Sequence, residues 1–487
     1  MRSSSVMRAA LLPLAALQQG AAAYRWFNWN YDITSNTTAL VLPSSEAELS
    51  AFLAAEHPKG SFVKVVGTGY GLSNLTTPVD AGTTSLQSYV VSLTNLRSIK
   101  YANDSKTVTF GAGWDLVDLV PELLEHGLQL KQLGSQRAEN YVGAISSGTH
   151  GSGTSLPNMA ASTVGFRLVD ATGCVHVINN TTDPDGVRAL QISLGALGAI
   201  TEVTVEVQPV RYLKRSVRTV ATTSNLTEQY ALIKQYSKMD RIKFEGPTYS
   251  WNATSLDWDL DPTMGLLIWE ETNVTGVRNC SDFCANGCGN CGGTVCYDLE
   301  PYAVAVAPAG VCDRGFIHQF EHHFPIEHLE EAGIAYTELQ RSQTAGLANL
   351  PNKQLVFNIR FIRGDNAFMS PANTENLPAN ASGVFVTFEM SYVPAYNDFA
   401  TLQKYTDNLA AFIPAFGQKF NVRPHWNKFA GFDLSYAEEV YPQVNTWMRY
   451  AKTFDPKCQF ANPYLVNLLN MTHCNGIVPT TAAPYLL

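Results

Sequence analysis

The run of small residues from Gly143 to Gly153 is the most specific chemical signature in this chain. It reads Gly-Ala-Ile-Ser-Ser-Gly-Thr-His-Gly-Ser-Gly. Residues this small cannot fill a core, but their backbone can wrap closely around an extended anionic or polar ligand. His150, inside the run, offers a hydrogen bond to that ligand, and its alternative role is a structural hydrogen bond. The composition of the loop argues against an apolar core around this imidazole.

A second glycine-rich segment lies earlier in the chain. Val65 to Ser73 reads Val-Val-Gly-Thr-Gly-Tyr-Gly-Leu-Ser, at the end of an apolar run from Ser61 to Val66 that predicts a buried strand. Glycines let backbone N–H groups approach a phosphate closely. The loop lacks the G-x-G-x-x-G spacing and no helix is predicted to follow, so by itself it fits a plain turn better.

Two further segments are less specific when each is taken alone. The stretch from Ser193 to Val203 carries glycines at a helix-to-strand change, and close packing explains them equally well. Near the C-terminus, Arg423-Pro424-His425-Trp426-Asn427-Lys428 combines basic, aromatic and imidazole side chains, which suit an anion or a flavin ring. Its alternative role is a surface turn.

Periodicity predicts the elements that hold these motifs. Ser45-Glu46-Ala47-Glu48 is a capping box that opens a helix ending near Glu56. Up to about Pro209 the pattern is α+β, and from about Val210 longer strands alternate with helices, which predicts a second domain to about Phe416. Further strands are predicted at 107–110, 166–169, 175–178, 200–207, 265–269, 355–362 and 384–390, and helices at 116–126, 186–194, 228–237 and 326–339.

Length and composition restrict the class of protein. The 487 residues exceed what one hydrophobic core usually fills, and 45% of them are apolar, which excludes a mainly disordered chain. The net charge of −9 argues against nucleic-acid binding, which needs a basic face. Only 15% of residues are charged, which is low for a soluble protein.

The N-terminus predicts a signal peptide over residues 1–23. Arg2 and Arg8 precede an apolar run from Ala9 to Leu17, and Ala21-Ala22-Ala23 supplies a cleavage site. The run is too short to span a bilayer; an uncleaved anchor or an ordinary helix are the alternatives. Secretion or a lumenal location is therefore expected, and glycans would offset the low charge. Sequons occur at Asn36, Asn74, Asn103, Asn179, Asn180, Asn225, Asn252, Asn273, Asn279, Asn380 and Asn470.

Nine cysteines fit an oxidising compartment. Five of them cluster within residues 279–297, where disulfides are favoured over a metal site because no histidine stands at ligand spacing. No metal is expected. Cys174, in a strand-like run, is predicted to be the free and buried thiol. The clustered cysteines are Cys280, Cys284, Cys288, Cys291 and Cys296, and the remaining ones are Cys312, Cys458 and Cys474.

Together, the four segments resemble one family along nearly the whole mature chain. The G-x-I-x-x-G-T-H-G-x-G run, the S-L-G-x-L-G-x-I-T-E-V-T run and R-P-H-W-x-K resemble, in the same order, the FAD-dependent aldonolactone and alditol oxidoreductases of the vanillyl-alcohol-oxidase type. The resemblance implies an α+β fold. A PCMH-type FAD-binding domain would span 24–209, a cap domain built on an antiparallel sheet 210–416, and a C-terminal segment returning to the flavin 417–475.

The resemblance also implies the site. Lys428, Arg360 and Asn358 would act on the substrate. The positions implied to contact FAD are Val65, Val66, Gly67, Thr68, Gly69, Tyr70, Gly71, Ser135, Asn140, Gly143, Ser147, Gly148, Thr149, His150, Ile200 and His425. The first loop would cradle the pyrophosphate, and Ile200 would contact the adenine side.

Two positions depart from the family pattern. Tyr70 stands where many members carry the histidine that links FAD covalently, so non-covalent FAD is expected. Asn358 stands where the E-x-R strand of the family has glutamate, so a hydroxyl-orienting carboxylate is expected to be missing, while Arg360 is kept. Residues two apart on a strand face the same side, so both side chains should point at the substrate.

The expected function is oxidation of a CH–OH group of a sugar-derived lactone or polyol. Hydride would pass to flavin N5, with oxygen as the acceptor. One alternative is a dehydrogenase that uses another acceptor. Another is a catalytically altered flavoprotein that binds carbohydrate, and a third is a structural glycoprotein without flavin.

Overall fold

The computed structural model describes residues 23–252, 254–255, 257–280, 295–304, 318–344, 354–392, 411–428, 431–474 and 476–477. The predicted signal peptide lies outside these residues, except for its last position. Cys284, Cys288, Cys291 and Cys312 also lie outside them. The predicted domain boundaries at 209 and 416 stay predictions.

The first described part of the chain builds three small sheets. Its strands are β1 (Tyr24–Phe27), β2 (Thr34–Thr37), β3 (Ala39–Val41), β4 (Phe62–Val66), β5 (Ser88–Ser92), β6 (Ile99–Tyr101), β7 (Thr107–Gly111), β8 (Leu128–Leu130), β9 (Thr163–Val169), β10 (Val175–Asn179) and β11 (Ala199–Pro209). Its helices are α1 (Glu46–Glu56), α2 (Leu116–Glu125), α3 (Tyr141–Ile145) and α4 (Pro184–Gln191).

These strands pair as the sequence pattern predicts for an α+β domain. β3, β5 and β4 form a parallel sheet, and β10, β9, β11, β7 and β6 follow one another in an antiparallel sheet, with β8 on β11. The predicted N-cap is confirmed, since the Ser45 hydroxyl accepts from the Glu48 amide at the start of α1. The Glu48 side chain accepts from Ser44 rather than from the Ser45 amide, so the reciprocal half of the capping box is shifted by one residue. β4 leads directly into the first glycine loop, and α3 begins the second.

The rest of the described chain builds one nine-stranded sheet. Its strands are β12 (Tyr212–Ala221), β13 (Arg241–Asn252), β14 (Asp257–Leu260), β15 (Thr263–Glu271), β16 (Val295–Leu299), β17 (His318–Pro325), β18 (Gln354–Arg363), β19 (Val384–Tyr392) and β20 (Arg423–Pro424). The helices are α5 (Leu226–Tyr236), α6 (Glu300–Val304), α7 (Leu329–Thr344), α8 (Gln418–Phe420), α9 (Leu434–Val440), α10 (Val444–Phe454) and α11 (Pro463–Leu468), with a π-helical turn at Ile413–Gly417. Short 3-10 turns occur at His57–Lys59, Asn74–Thr76, Ala81–Thr83, Met159–Ser162, Ile326–His328 and Thr472–Cys474.

This sheet is antiparallel, and its alternation separates a core face from a polar face. Strands β13, β18, β19 and β17 are neighbours, and β20 from the C-terminal segment joins β17. Phe357 and Phe388 pack against Tyr336 of α7. Asn358 and Glu389, the next residues along each strand, therefore point to the opposite face. The sheet is covered by helices on one side and offers polar groups on the other. Within the described helices none is long and apolar enough to cross a bilayer.

Two disulfides lie within the described residues. Cys280 bonds Cys296, which confirms a disulfide within the predicted cluster, and Cys458 bonds Cys474. Cys174 is free, as predicted, but it is exposed rather than buried. The prediction of burial was wrong because β10, which Cys174 precedes, is the edge strand of its sheet.

Candidate functional site

One cavity of about 1820 Å³ lies where the two glycine loops meet the polar face of the nine-stranded sheet. Residues of the two glycine loops line it together with residues of the nine-stranded sheet and the C-terminal segment, which lie far away in the sequence. The predicted site residues that line it are Val65, Val66, Gly67, Thr68, Gly69, Tyr70, Gly71, Ser135, Asn140, Gly143, Ser147, Thr149, His150, Ile200, Asn358, Arg360, His425 and Lys428. The structure therefore brings together nearly all the positions that the sequence singles out.

Gly148 is the exception among the predicted positions, because it does not line the cavity. Its φ is +86°, a left-handed conformation that favours glycine. A Cβ here would come within 3.2 Å of Pro371 and 3.3 Å of Ile192. Gly148 therefore packs closely within the loop, and its predicted contact with the cofactor stays a prediction.

The first glycine loop has the features of an anion cradle. The amides of Thr68, Gly69, Tyr70 and Gly71 donate no hydrogen bond to any described residue. A Cβ on Gly67 would come within 2.5 Å of the Asn140 side chain, so only glycine fits there. Backbone N–H groups that are not used within the described structure suit an extended phosphate.

Asn140 and Ser147 fix the second loop rather than reach into the cavity with free polar groups. The Asn140 amide donates to the carbonyls of Ala112 at 2.9 Å and Trp114 at 3.1 Å, and its oxygen accepts from the Gly143 amide and caps α3. Ser147 accepts from the Asn427 side chain at 2.6 Å, which ties this loop to the C-terminal segment. A cofactor would meet these residues through backbone and small side-chain atoms.

His150 is buried and forms hydrogen bonds with the protein at both ring nitrogens. Nδ1 lies 2.9 Å from the Gly151 carbonyl and Nε2 lies 2.7 Å from Oε1 of Glu321 on β17. Nε2 also lies 3.2 Å from Nε2 of His323 on the same strand as Glu321. The contact with Glu321 joins the glycine loop to the cap sheet, and the predicted hydrogen bond from His150 to a ligand stays a prediction.

Two cations and two carboxylates form a buried cluster on the cap side of the cavity. Arg360 on β18 donates to Glu321 at 2.8 Å and to Glu389 on β19 at 2.9 Å. Lys428 lies 2.6 Å from Glu321 and 3.1 Å from Glu389. Each cation thus bridges both carboxylates, an arrangement that offsets the cost of burying four charges.

Burial and pairing shift the pKa values in this cluster in opposite directions. Burial raises the pKa of Glu321, but the charges of Lys428, Arg360 and His150 lower it by more than burial raises it. The net result is a pKa well below the usual range. Burial lowers the pKa of Lys428, yet Glu321 and Glu389 outweigh it, and the net shift is upward. The pKa of Glu389 is also lowered, because Lys428 and Arg360 outweigh its burial. At neutral pH all four groups are ionised.

Two carboxylates lie near Asn358 on the same face of the sheet, although residue 358 itself carries none. Asn358 lies directly opposite Glu389 on the neighbouring strand and donates to it at 3.3 Å. Glu389 in turn lies opposite Glu321. Sequence reasoning missed both glutamates because their strands are far from residue 358 in the chain, and only the sheet register brings them together.

Ser135 and His425, two further predicted site residues, line the cavity beside this cluster. The Ser135 hydroxyl accepts from Arg360 at 3.3 Å. Burial lowers the pKa of His425 to about 3, so its ring is neutral. Its Nδ1 accepts from the Asn427 amide at 3.2 Å, which places the proton on Nε2. His425 is therefore a hydrogen-bond donor at the cavity.

Lys64 is a cavity residue that the sequence did not single out. It lies on β4, just before the first glycine loop, and its buried ammonium has no hydrogen-bond partner among the described residues. Burial lowers its pKa to about 8. The charge of Asp455 opposes this shift but does not cancel it. A buried ammonium without a hydrogen-bond partner is costly, and an anionic ligand in this cavity would relieve that cost. The alternation of β4 could have indicated that residue 64 faces inward.

Glu139 is a second residue that sequence reasoning missed. It lines the same cavity, and its Oε2 has no hydrogen-bond partner among the described residues. Burial raises its pKa to about 7, although Lys428, Thr149 and Arg360 oppose the shift. It lies directly before the helix cap Asn140, a position that gives no signal in the sequence.

A metal ion suits the site less well than a flavin does. His150, Glu321 and His323 bring three possible ligand atoms within 4.8 Å of one another. Arg360 and Lys428 already pair with Glu321, so a metal cation would meet two fixed positive charges. By contrast, the free loop amides and the unpaired Lys64 fit the diphosphate of a dinucleotide.

The fold matches that of known flavoproteins. A crystal structure of cholesterol oxidase from Brevibacterium sterolicum superposes with a TM-score of 0.72 over 94% of this chain and 100% of that one, at 15% identity. A solvent-stable cholesterol oxidase gives a TM-score of 0.70 over 93% and 98%, at 14% identity. The architecture is therefore a PCMH-type FAD-binding domain with a cap built on an antiparallel sheet, as the sequence predicted.

Sequence comparison identifies the family. The profile of the FAD binding domain matches residues 37–179, and the profile of D-arabinono-1,4-lactone oxidase matches residues 318–468. The chain is 25% identical to an L-gulono-1,4-lactone dehydrogenase of Mycobacterium tuberculosis over 91% of this chain and 99% of that protein. It is 24% identical to the L-gulonolactone oxidase of Mus musculus over 92% and 98%. The two family models and the full-length relatives support the aldonolactone oxidase family of FAD-dependent oxidoreductases.

Proposed function

We propose that this protein oxidises a CH–OH group of a sugar-derived lactone with FAD as the immediate oxidant. The observation that carries this proposal is the shared cavity, in which the cluster of Arg360, Lys428, Glu321 and Glu389 faces the free amides of the first glycine loop. The names of the relatives support a lactone rather than an open-chain polyol. A cavity wall rich in hydrogen-bonding groups suits a compact ligand with many hydroxyls.

When bound, FAD supplies the two-electron acceptor for the hydride that leaves the substrate carbon. Residues 68–71 would hold its diphosphate through their backbone amides, and Lys64 would balance its negative charge. The hydroxyl of the reacting carbon must release its proton as the hydride departs. Lys428 would stabilise the negative charge that develops on that oxygen.

Arg360 and Asn358 would orient the substrate. Both lie on the polar face of β18, and Glu321 and Glu389 hold the guanidinium in place through two hydrogen bonds from one nitrogen. A group fixed in this way positions a ligand with little loss of entropy on binding. Asn358 would donate or accept a hydrogen bond without acting as a base.

Oxygen is the acceptor that we propose for the reduced enzyme. The relatives include both an oxidase and a dehydrogenase, so the fold accommodates either outcome. Hydrogen peroxide formation in air, measured over a panel of 1,4-lactones, tests the oxidase assignment. Turnover only with an added dye would contradict it and favour a dehydrogenase.

The alternative of a catalytically altered flavoprotein that binds carbohydrate has less support once the cavity wall is considered. That alternative rested on Tyr70 and on the apparent loss of a carboxylate at Asn358. Glu321 and Glu389 supply carboxylates beside Asn358, so the wall retains acidic groups. Binding of a lactone without any bleaching of the flavin would revive the alternative.

Non-covalent attachment of FAD is part of the same proposal. Tyr70 lines the cavity, and its ring lies against that of Trp29, with the ring centroids 4.5 Å apart. Burial raises the pKa of the Tyr70 hydroxyl, which keeps the phenol neutral and a poor nucleophile. Secretion is a separate proposal, supported by the N-terminal pattern, the sequons and two disulfides.

A further inference from the structure

Four neighbouring strands of the cap sheet place one polar residue each in a straight row along the cavity wall. The register pairs Glu245 on β13 with Asn358 on β18, Asn358 with Glu389 on β19, and Glu389 with Glu321 on β17. Directly opposite residues share a face of the sheet, and all four line the cavity. The row contains three carboxylates and one amide.

Carboxylates in adjacent positions of a sheet repel each other unless cations lie between them. This row has such cations at both ends. Lys243 lies 3.2 Å from Glu245 at one end of the row. Arg360 and Lys428 each bridge Glu389 and Glu321 at the other end. These ion pairs fix the carboxylates in position, and they lower the pKa values of Glu321 and Glu389.

The two bridged carboxylates differ in what they offer to a ligand. The Glu321 side chain is 1% exposed, and both of its oxygens already accept from His150, Arg360 or Lys428. The Glu389 side chain is 13% exposed. Among the residues that the structure describes, its Oε1 accepts from the side-chain amides of Asn358 and Gln319, both at 3.3 Å. Long, uncharged contacts leave this oxygen with capacity for a stronger donor.

We propose that Glu389 is a specificity-determining residue that binds a hydroxyl of the sugar lactone through Oε1, beside the amide of Asn358. This inference rests on the proposed function. The E-x-R strand pattern places a carboxylate on β18, whereas in this chain the ligand-facing carboxylate stands one strand away on β19. Glu321 remains behind it as the buried partner of His150 and Lys428.

The test combines Glu389→Gln with monodeoxy lactones in anaerobic flavin reduction. With the full lactone, E389Q loses roughly tenfold to hundredfold in kcat/KM, since a charge-assisted hydrogen bond is lost. With wild-type protein, one monodeoxy lactone shows the same loss. With E389Q that same lactone shows little further loss, because the contact is already absent. A residue that acts only on the fold would give independent, multiplicative losses for every lactone, which would overturn the proposal.

Glu389→Asp and Glu270→Gln keep the result interpretable. E389D retains the negative charge that pairs with Arg360 and Lys428, so it should bind FAD and unfold like wild type. It therefore replaces E389Q in the test if E389Q proves unstable. It should still lose at least tenfold in kcat/KM, with most of the loss in KM. Glu270 is an exposed partner of Lys214 on the same sheet, and its substitution should change nothing. If wild-type protein is reduced by a lactone but E389Q and E389D match it, the role of Glu389 is refuted while the proposed function stands.

Discussion

His150 of the second glycine loop lies 2.7 Å from Glu321 of the cap sheet, and both side chains are 1% exposed. This contact joins two parts of the chain that are 171 residues apart. Because Arg360 and Lys428 also bind Glu321, one carboxylate links the loop, the sheet and the C-terminal segment. Glu321 thus organises the site without a free oxygen for the substrate.

Replacing Glu321 by Gln should destabilise the folded protein by about 3–5 kcal/mol, since removing one partner leaves buried charges unpaired. Urea unfolding of the FAD-bound protein measures this change. The matched control is Glu330→Gln, which removes an exposed glutamate paired with Lys234 and should cost less than about 1 kcal/mol. Equal stabilities for E321Q and wild type would contradict the structural role given to Glu321.

Replacing Lys428 by Met should slow flavin reduction by roughly a hundredfold to a thousandfold, since it removes the charge that stabilises the substrate oxygen. Stopped-flow absorbance under anaerobic conditions measures the rate. Lys419→Met is the control, because Lys419 is exposed and pairs only with Glu331 at the surface among the described residues. Unchanged reduction kinetics in K428M would refute the assigned role.

Replacing Lys64 by Met should have opposite effects on two properties. The unpaired ammonium has a pKa of about 8 instead of 10.5, so its burial costs the apoprotein up to about 3 kcal/mol below pH 8. That cost fades between pH 8 and 10.5, where the folded form is already neutral. At pH 7, K64M should raise the stability of the apoprotein and weaken its affinity for FAD. Lys59→Met, at an exposed site, should do neither.

Glu139 should make the stability of the apoprotein fall as pH rises. Its pKa is about 7 in the folded protein and ordinarily 4.5, so the folded state keeps a proton that the unfolded state loses in this interval. The penalty is absent below pH 4.5 and complete above pH 7, where it reaches about 3 kcal/mol. The stability gained by Glu139→Gln should grow over the same range. A difference that does not change with pH would contradict the raised pKa of this carboxyl.

The sequence predicted the flavin side of the site better than the substrate side. Local runs such as residues 65–71 and 143–153 carry their chemistry in consecutive residues, so their roles could be recognised without the fold. Glu321 and Glu389 lie on different strands from Arg360, and their proximity depends on sheet register that no local pattern encodes. Asn358 looked like a lost carboxylate for the same reason. At Gly148, packing and ligand contact both favour glycine, so the residue type alone does not distinguish the two roles.

Attachment of FAD is tested by acid precipitation of purified holoprotein. Tyr70 stands where a linking histidine would be, so the flavin should appear in the supernatant and the pellet should be colourless. A flavin-fluorescent protein band on a denaturing gel would show covalent attachment instead.

Oxidation of a sugar lactone by the bound flavin is tested most simply by anaerobic titration of the FAD-bound protein. The titrants are the 1,4-lactones of gulonic, galactonic and arabinonic acids, and the flavin is followed by visible absorbance. We expect at least one lactone to bleach the oxidised flavin band completely. In K428M the same lactone should bleach this band far more slowly. The contradicting result is a protein whose flavin is reduced by dithionite but by none of the lactones.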